Sequence, residues 1–202
     1  MASTSPLISL IFTVLLITIS SATSYPTGSH PSTSSLDFIQ SSCHVTRYPA
    51  LCYHSLTPFA AKINKSERQL AVTALAVSLS RARSAAQFVS RTKKIKGISH
   101  REIEAVKDCV DTMGDSVDQL TRSFTEMGHM GRVNDGEDFM WHISNVQTWV
   151  SAALTDANTC MDGFSGRVMR GRVKGAINMR LTNVAQVTSN ALALVNHFAT
   201  RD

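Results

Sequence analysis

The chain has 202 residues and a formal net charge of +5, with 43% hydrophobic and 17% charged side chains. That balance excludes a disordered polyelectrolyte and a polytopic membrane protein, and leaves room for one self-folding domain plus an appendage. Aromatic residues make up 6%, with 10 glycines and 5 prolines, which speaks against a sandwich of many short turn-linked strands.

Leu7 to Ile19 is an uncharged, mostly apolar run, too short for the roughly 20 residues a helix needs to cross a bilayer. Small residues follow from Ser20 to Ser24. An apolar stretch ending in small residues is the pattern of a secretory signal peptide, here residues 1–24 with cleavage after Ala22 or Ser24. The expected mature form is secreted and holds no membrane segment. Residues 25–34, rich in Ser, Thr and Pro, read as a flexible arm.

Residues 35–202 form the expected domain. In 35–63, Pro49 and Pro58 break the chain into small helices that make a helical hairpin. Four long amphipathic segments occupy 64–202. In the first, Val72, Leu75, Leu79, Ala82, Ala86 and Val89 recur at steps of three and four, behind Ser66 and Gln69 in a capping-box-like start. In the second the same alternation runs through Ile103, Val106, Val110, Met113, Val117, Leu120, Phe124 and Met127, opened by Ser99 and Glu102. The third carries Phe139, Ile143, Val146, Val150, Ala153, Ala157 and Cys160. The fourth carries Ile177, Leu181, Val184, Ala191, Val195 and Phe198, with Thr188 as a polar interruption. Glycine-containing connections at Thr92–Ile98, Gly128–Gly136 and Gly163–Gly171 make the segments fold back on one another. The expected fold is all-α: an N-terminal helical hairpin followed by an antiparallel four-helix bundle.

Secretion gives the cysteine count its meaning. Cys43, Cys52, Cys109 and Cys160 all lie after the signal peptide, and four thiols in an oxidising compartment suggest two disulfides. A zinc site is the competing idea, but no C-x2-C or H-x3-H spacing supports it. Cys109 lies about 27 Å from the end of the second long helix and Cys160 about 35 Å into the third, at 1.5 Å per residue. In antiparallel neighbours these levels meet within a turn or two, so the expected pairs are Cys43–Cys52 and Cys109–Cys160. Asn64-Lys65-Ser66 is the one glycosylation sequon in the expected mature chain.

Motifs of catalysis are missing. The sequence has no G-x-S-x-G, Walker, G-x-G-x-x-G or H-E-x-x-H pattern. Its seven histidines are scattered over arm, hairpin, loop and helix ends, and no cofactor or metal set emerges. Glu104, Asp108, Asp111, Asp115 and Asp118 share the stripe opposite the apolar seam of the second long helix. A convex, solvated helix face is a poor place to raise a carboxyl pKa or exclude water. The chain does not read as an enzyme. That stripe is either an ordinary solvated face or a binding face for a basic partner.

Basic residues cluster elsewhere, in Arg81, Arg83, Arg91, Lys93, Lys94, Lys96 and Arg101, and in Arg167, Arg170, Arg172, Lys174 and Arg180. Without interleaved aromatics in a secreted chain these do not suggest nucleic acid. They suit solubility or a weak ionic contact with an acidic polysaccharide matrix. Trp141 falls off the apolar seam of its helix and is expected to cover a neighbouring element, or else to anchor an interface.

Several stretches together resemble the plant invertase and pectin methylesterase inhibitor family. They are Cys43-x8-Cys52 with Tyr48-Pro49-Ala50-Leu51, Lys107-Asp108-Cys109 leading into Asp115-Ser116-Val117-Asp118-Gln119-Leu120, Val150 to Phe164, and Thr188 to Leu194. The resemblance covers about Ser34 to Thr200. It implies a secreted, extracellular cell-wall (apoplastic) protein that binds a carbohydrate-active enzyme, one to one, and blocks its cleft. Invertase inhibitors of the best-known form carry Pro-Lys-Phe, which is absent here. The Ala-Leu-Thr…Asn-Thr-Cys stretch is similar to pectin methylesterase inhibitors instead. By that similarity the contact residues are Asp111, Asp115 and Asp118 on the second long helix and Asp156, Thr159 and Asp162 on the third. Since the chain stops at Asp202, just past the bundle, it is expected to be a free-standing inhibitor.

Overall fold

The structure, a computed structural model, describes residues 33–130, 136–165 and 172–200. The expected signal peptide and residues 25–32 of the expected arm lie outside them. So do Arg167 and Arg170 of the second basic run. Among the described residues every regular element is helical. A short region holds α1 (Thr33–Cys43), α2 (Pro49–Leu56), a 3-10 turn (Thr57–Phe59) and α3 (Ala60–Ile63). Four long helices follow: α4 (Glu67–Thr92), α5 (His100–His129), α6 (Gly136–Gly163) and α7 (Arg172–Ala199). α1 starts at Thr33, so the last two residues of the expected arm, Thr33 and Ser34, are helical instead.

Helix starts follow local chemistry. Pro49 opens α2 at a first-turn position, where its missing N–H costs nothing. The Ser66 hydroxyl accepts from Gln69 N at 3.3 Å. Ser99 and Glu102 complete a reciprocal capping box, with Ser99 N donating to Glu102 Oε2 at 2.8 Å. At the other end of α5, Arg68 Nη2 donates to the carbonyls of Met127 at 2.8 Å and Gly128 at 3.0 Å. A guanidinium there satisfies last-turn carbonyls and opposes the negative end of the helix dipole. Asn64 and Lys65 take positive φ of 44° and 59° between α3 and α4, and Gly97 turns the chain into α5 at φ 84°.

Each long helix packs on the next, and α7 closes the ring against α4. Two disulfides brace this arrangement: Cys43–Cys52 within the hairpin and Cys109–Cys160 between α5 and α6, with Cα–Cα distances of 5.7 and 4.6 Å. The core has two halves. One joins Ile39, Leu56 and Ile63 of the hairpin region to Leu70, Leu75, Val150 and Val195. The other surrounds Cys109 and Cys160 with Val106, Leu120, Phe164 and Leu181.

The apolar periodicity locates these helices but misjudges two faces. In α4, Leu70 through Leu75 are all buried, not one stripe of them, because the hairpin covers what would otherwise be the outer face. In α5 the buried stripe is Val106, Cys109, Met113, Ser116, Leu120, Ser123 and Met127. Val110, Val117 and Phe124 are only half-buried. Polar Ser116 and Ser123 occupy the interior because their hydroxyls are satisfied there, donating to Ala153 O at 3.1 Å and Gln119 O at 2.9 Å.

The hairpin is held to the bundle by a polar contact at its turn. Buried Asn190 of α7 accepts from Tyr48 N and donates to Tyr48 O, both at 3.0 Å. Tyr48 immediately precedes α2, so one amide side chain fixes where that helix starts.

Candidate functional site

Two cross-links set the register of α5 against α6. Seven residues after Cys109 comes Ser116, and seven before Cys160 comes Ala153, which Ser116 bonds across the interface. Further along, His142 Nδ1 meets Glu126 Oε1 at 2.6 Å. The two helices therefore run alongside one another over most of their length, about 40 Å at 1.5 Å per residue.

Their outer edges enclose an open crease over the long disulfide. Arg101, Glu104, Asp108 and Thr112 line it from α5, and Thr159 and Asp162 from α6. One turn beyond, Asp115 of α5 and Asp156 of α6 are close enough to interact electrostatically. Partial burial, and secondarily the Asp115 carboxylate, hold the Asp156 carboxyl above its ordinary pKa. Asp111 and Asp118 are exposed on the same side of α5.

Of the sequence candidates, the structure thus brings Thr159 and Asp162 into one crease and Asp115 next to Asp156, with Asp111 and Asp118 on the outward rim. Spacing on α5 alone missed Thr112 and Arg101. The signal that finds them is the pairing of Cys109 with Cys160, since it tells which residues of the two helices stand at one level. The crease is also where a single-helix argument fails. The carboxyl pKa of Asp156 on α6 is raised there, because partial burial desolvates it and α5 supplies a facing acid, Asp115.

The chemistry available is recognition. Exposed carboxylates and hydroxyls in fixed array accept hydrogen bonds from cationic and N–H donors. All four cysteines are tied up, so no thiol nucleophile remains. Among the described residues no group of three or more His, Cys, Asp and Glu is arranged to hold a metal ion.

The family model described as "Plant invertase/pectin methylesterase inhibitor" matches residues 37–194. The chain belongs to this family. Among curated proteins it is 50% identical over 192 residues to Pectinesterase inhibitor 9 of Arabidopsis thaliana, covering 94% of this chain and 93% of that one. It is 47% identical over 191 residues to Pectinesterase inhibitor 11 of the same plant, covering 94% and 95%. A crystal structure of a mutant pectin methylesterase inhibitor from Arabidopsis superposes with a TM-score of 0.61 at 21% identity. It covers 76% of this chain and 92% of that one, and it supports the fold. This family is one of inhibitors, so its working part is a surface.

Other parts of that surface differ from expectation. Trp141, expected to cover a neighbouring element, is 63% exposed, and its ring meets that of His142 edge-on within its own helix. With Met140, also exposed, it stands at the α6 end away from the disulfide. Asn64, the sequon residue, is exposed in the turn after α3. Among the described residues no helix is long and apolar enough to cross a membrane.

Proposed function

We propose that this protein inhibits pectin methylesterase by laying its α5–α6 face across the enzyme's substrate cleft. The complex is one to one and excludes substrate without making or breaking a bond. The observation that carries the reading is the disulfide-braced crease, whose carboxylates and hydroxyls come from two helices locked in register. Asp111, Asp115, Asp118, Asp156, Thr159 and Asp162 are the proposed contacts. The names of its relatives support the target class. Two antiparallel helices some 40 Å long offer enough area for a standard interface of about 800 Å² per partner. The chain is secreted by way of residues 1–24 and acts in the cell-wall space, with Asn64 as the site of any N-linked glycan.

Inhibition of acid invertase is the second reading. It lacks the Pro-Lys-Phe motif in this sequence, and the relatives described above are pectinesterase inhibitors.

Titrating the purified protein into pectin methylesterase and acid invertase, over acidic to neutral pH, tests the assignment. The expected result is loss of methylesterase activity that saturates at one equivalent, with invertase unaffected. Full activity of the methylesterase in an excess of folded inhibitor would refute it. A triple Asp111→Asn, Asp115→Asn, Asp118→Asn variant tests the face. Inhibition equal to wild type would move the contact surface elsewhere.

A further inference from the structure

Across the bundle from α6, the outer face of α4 has opposite chemistry. From Arg68 to Arg101 the sequence contains no Asp or Glu. Arg81, Arg83, Arg91, Lys93, Lys94 and Lys96 within it are all exposed. None has an acidic partner among the described residues. Arg81 to Lys94 spans about 20 Å of helix and its exit. These cations form a track spread around the outer surface of α4, with Arg81 on the hairpin side and Arg83 reaching Thr121 of α5.

At its hairpin end the track enters a groove between the α2–α3 region and α4, enclosing about 340 Å³. Lys62 and Arg81 stand on its two walls, with His54 beside them. Phe59, 41% exposed, supplies a ring, and Ser55 and Ser80 supply hydroxyls. Neither Lys62 nor Arg81 has an acidic partner among the described residues.

We infer that this groove holds one unit of a carboxylate-bearing polysaccharide whose chain continues along the cations of α4. The apolar face of a sugar ring suits the exposed Phe59 ring. The carboxylate suits the Lys62 and Arg81 pair, and ring hydroxyls suit the two serines. The volume is at the low end for ligand sites, right for a small unit of a longer chain. A protein partner would need a broad apolar centre, and Phe59 is the one large exposed apolar side chain lining this groove. Nothing in this inference rests on enzyme inhibition, because no residue lining the groove belongs to α5 or α6. If both hold, the inhibitor is tethered to an anionic wall while its α5–α6 face stays free.

The test is calorimetric titration with an oligogalacturonate of about ten units at low salt. Its fully methyl-esterified counterpart, a dextran sulfate oligosaccharide and polyglutamate are run in parallel. Binding of the carboxylated oligomer is expected, weakened between about 50 and 200 mM salt, with none of the neutral one. Lys62→Gln with Arg81→Gln should lower affinity about fivefold to tenfold, as loss of two exposed ion pairs would. Phe59→Ala should lower it about threefold with net charge unchanged. Asp115→Asn should leave it unaltered, and circular dichroism verifies that each variant is folded. The inference is overturned if the carboxylated oligomer does not bind. It is equally overturned if dextran sulfate or polyglutamate binds as tightly, or if the groove variants bind as wild type does.

Discussion

Replacing Asn190 by alanine tests whether one amide clamps the hairpin to the bundle. Tyr48 N has Asn190 Oδ1 as its acceptor, so the substitution leaves that donor without a protein partner. Tyr48 O keeps its bond from Cys52 N at 2.9 Å and loses only the second, from Asn190 Nδ2. An orphaned donor costs about 1–3 kcal/mol when buried, and Tyr48 is half-buried, which favours the lower end. The lost second bond adds about 0.5–1 kcal/mol. The expected total is about 2 kcal/mol, a fall in Tm of roughly 4–8 °C for a domain of this size. Urea denaturation of the oxidised protein, followed by circular dichroism, measures it. Hydrogen exchange at the Tyr48 amide locates it. Asn190→Asp is the informative companion, since it retains an acceptor for Tyr48 N but sets a carboxylate oxygen against Tyr48 O. Proton uptake restores a donor there, so this variant should recover stability relative to wild type as pH falls. A loss under about 0.5 kcal/mol for Asn190→Ala, the level of an ordinary surface change, would refute the clamp.

Three further outcomes are expected. Asp156 has a raised folded-state pKa, so the native chain binds protons more tightly than the unfolded one. Its carboxylate therefore costs stability above that pKa and the cost disappears on acidification. Asp156→Asn should be more stable than wild type at neutral pH, with the difference closing as pH falls below the ordinary carboxylate range; a pH-independent difference in urea midpoints would contradict this. Removing the long disulfide as Cys109→Ser, Cys160→Ser opens a link between residues 51 apart. On the chain-entropy account that costs about 4 kcal/mol, read by denaturation against wild type, and an unchanged midpoint would exclude a stabilising role. Thr188 is fully buried with no partner for its hydroxyl among the described residues. Thr188→Val, nearly the same shape, should stabilise by about 1 kcal/mol, and destabilisation in the same assay would show that the hydroxyl is bonded.

What the sequence carries and what it hides divides along the number of helices involved. The position of α5 is legible because Ser99 and Glu102 act within one turn and Val106 to Met127 repeat along one face. Which face is innermost is not legible in the same way. Ser116 and Ser123 look solvated by residue type, and they are buried because carbonyls, one on α6 and one on α5 itself, accept their protons. The full burial of Leu70 to Leu75 depends on a hairpin about ten to thirty residues earlier in the chain, a tertiary cover that helical periodicity does not encode. Trp141 shows the converse error. An off-seam tryptophan looks like a side chain in need of cover, yet it is 63% exposed and its ring contact is with the adjacent residue.

The same division explains the candidate site. The Asp111, Asp115 and Asp118 stripe can be read from one helix, but a stripe alone is indistinguishable from a solvated face. Antiparallel register converts it into a two-helix array, and that register is fixed covalently at Cys109–Cys160 and repeated by Ser116 on Ala153. An inhibitor that works by coverage gains from such fixing. Whatever ordering is completed during folding is not charged against the complex, so more of the contact energy appears as affinity. The carboxylates nearest the disulfide are held most firmly and have the least freedom to lose. If the α5–α6 face is the one that binds, reduction of that single bond should therefore weaken inhibition more than its effect on the folded fraction accounts for. Cutting the Cys43–Cys52 link, which closes the hairpin and bridges neither helix, should act on stability alone.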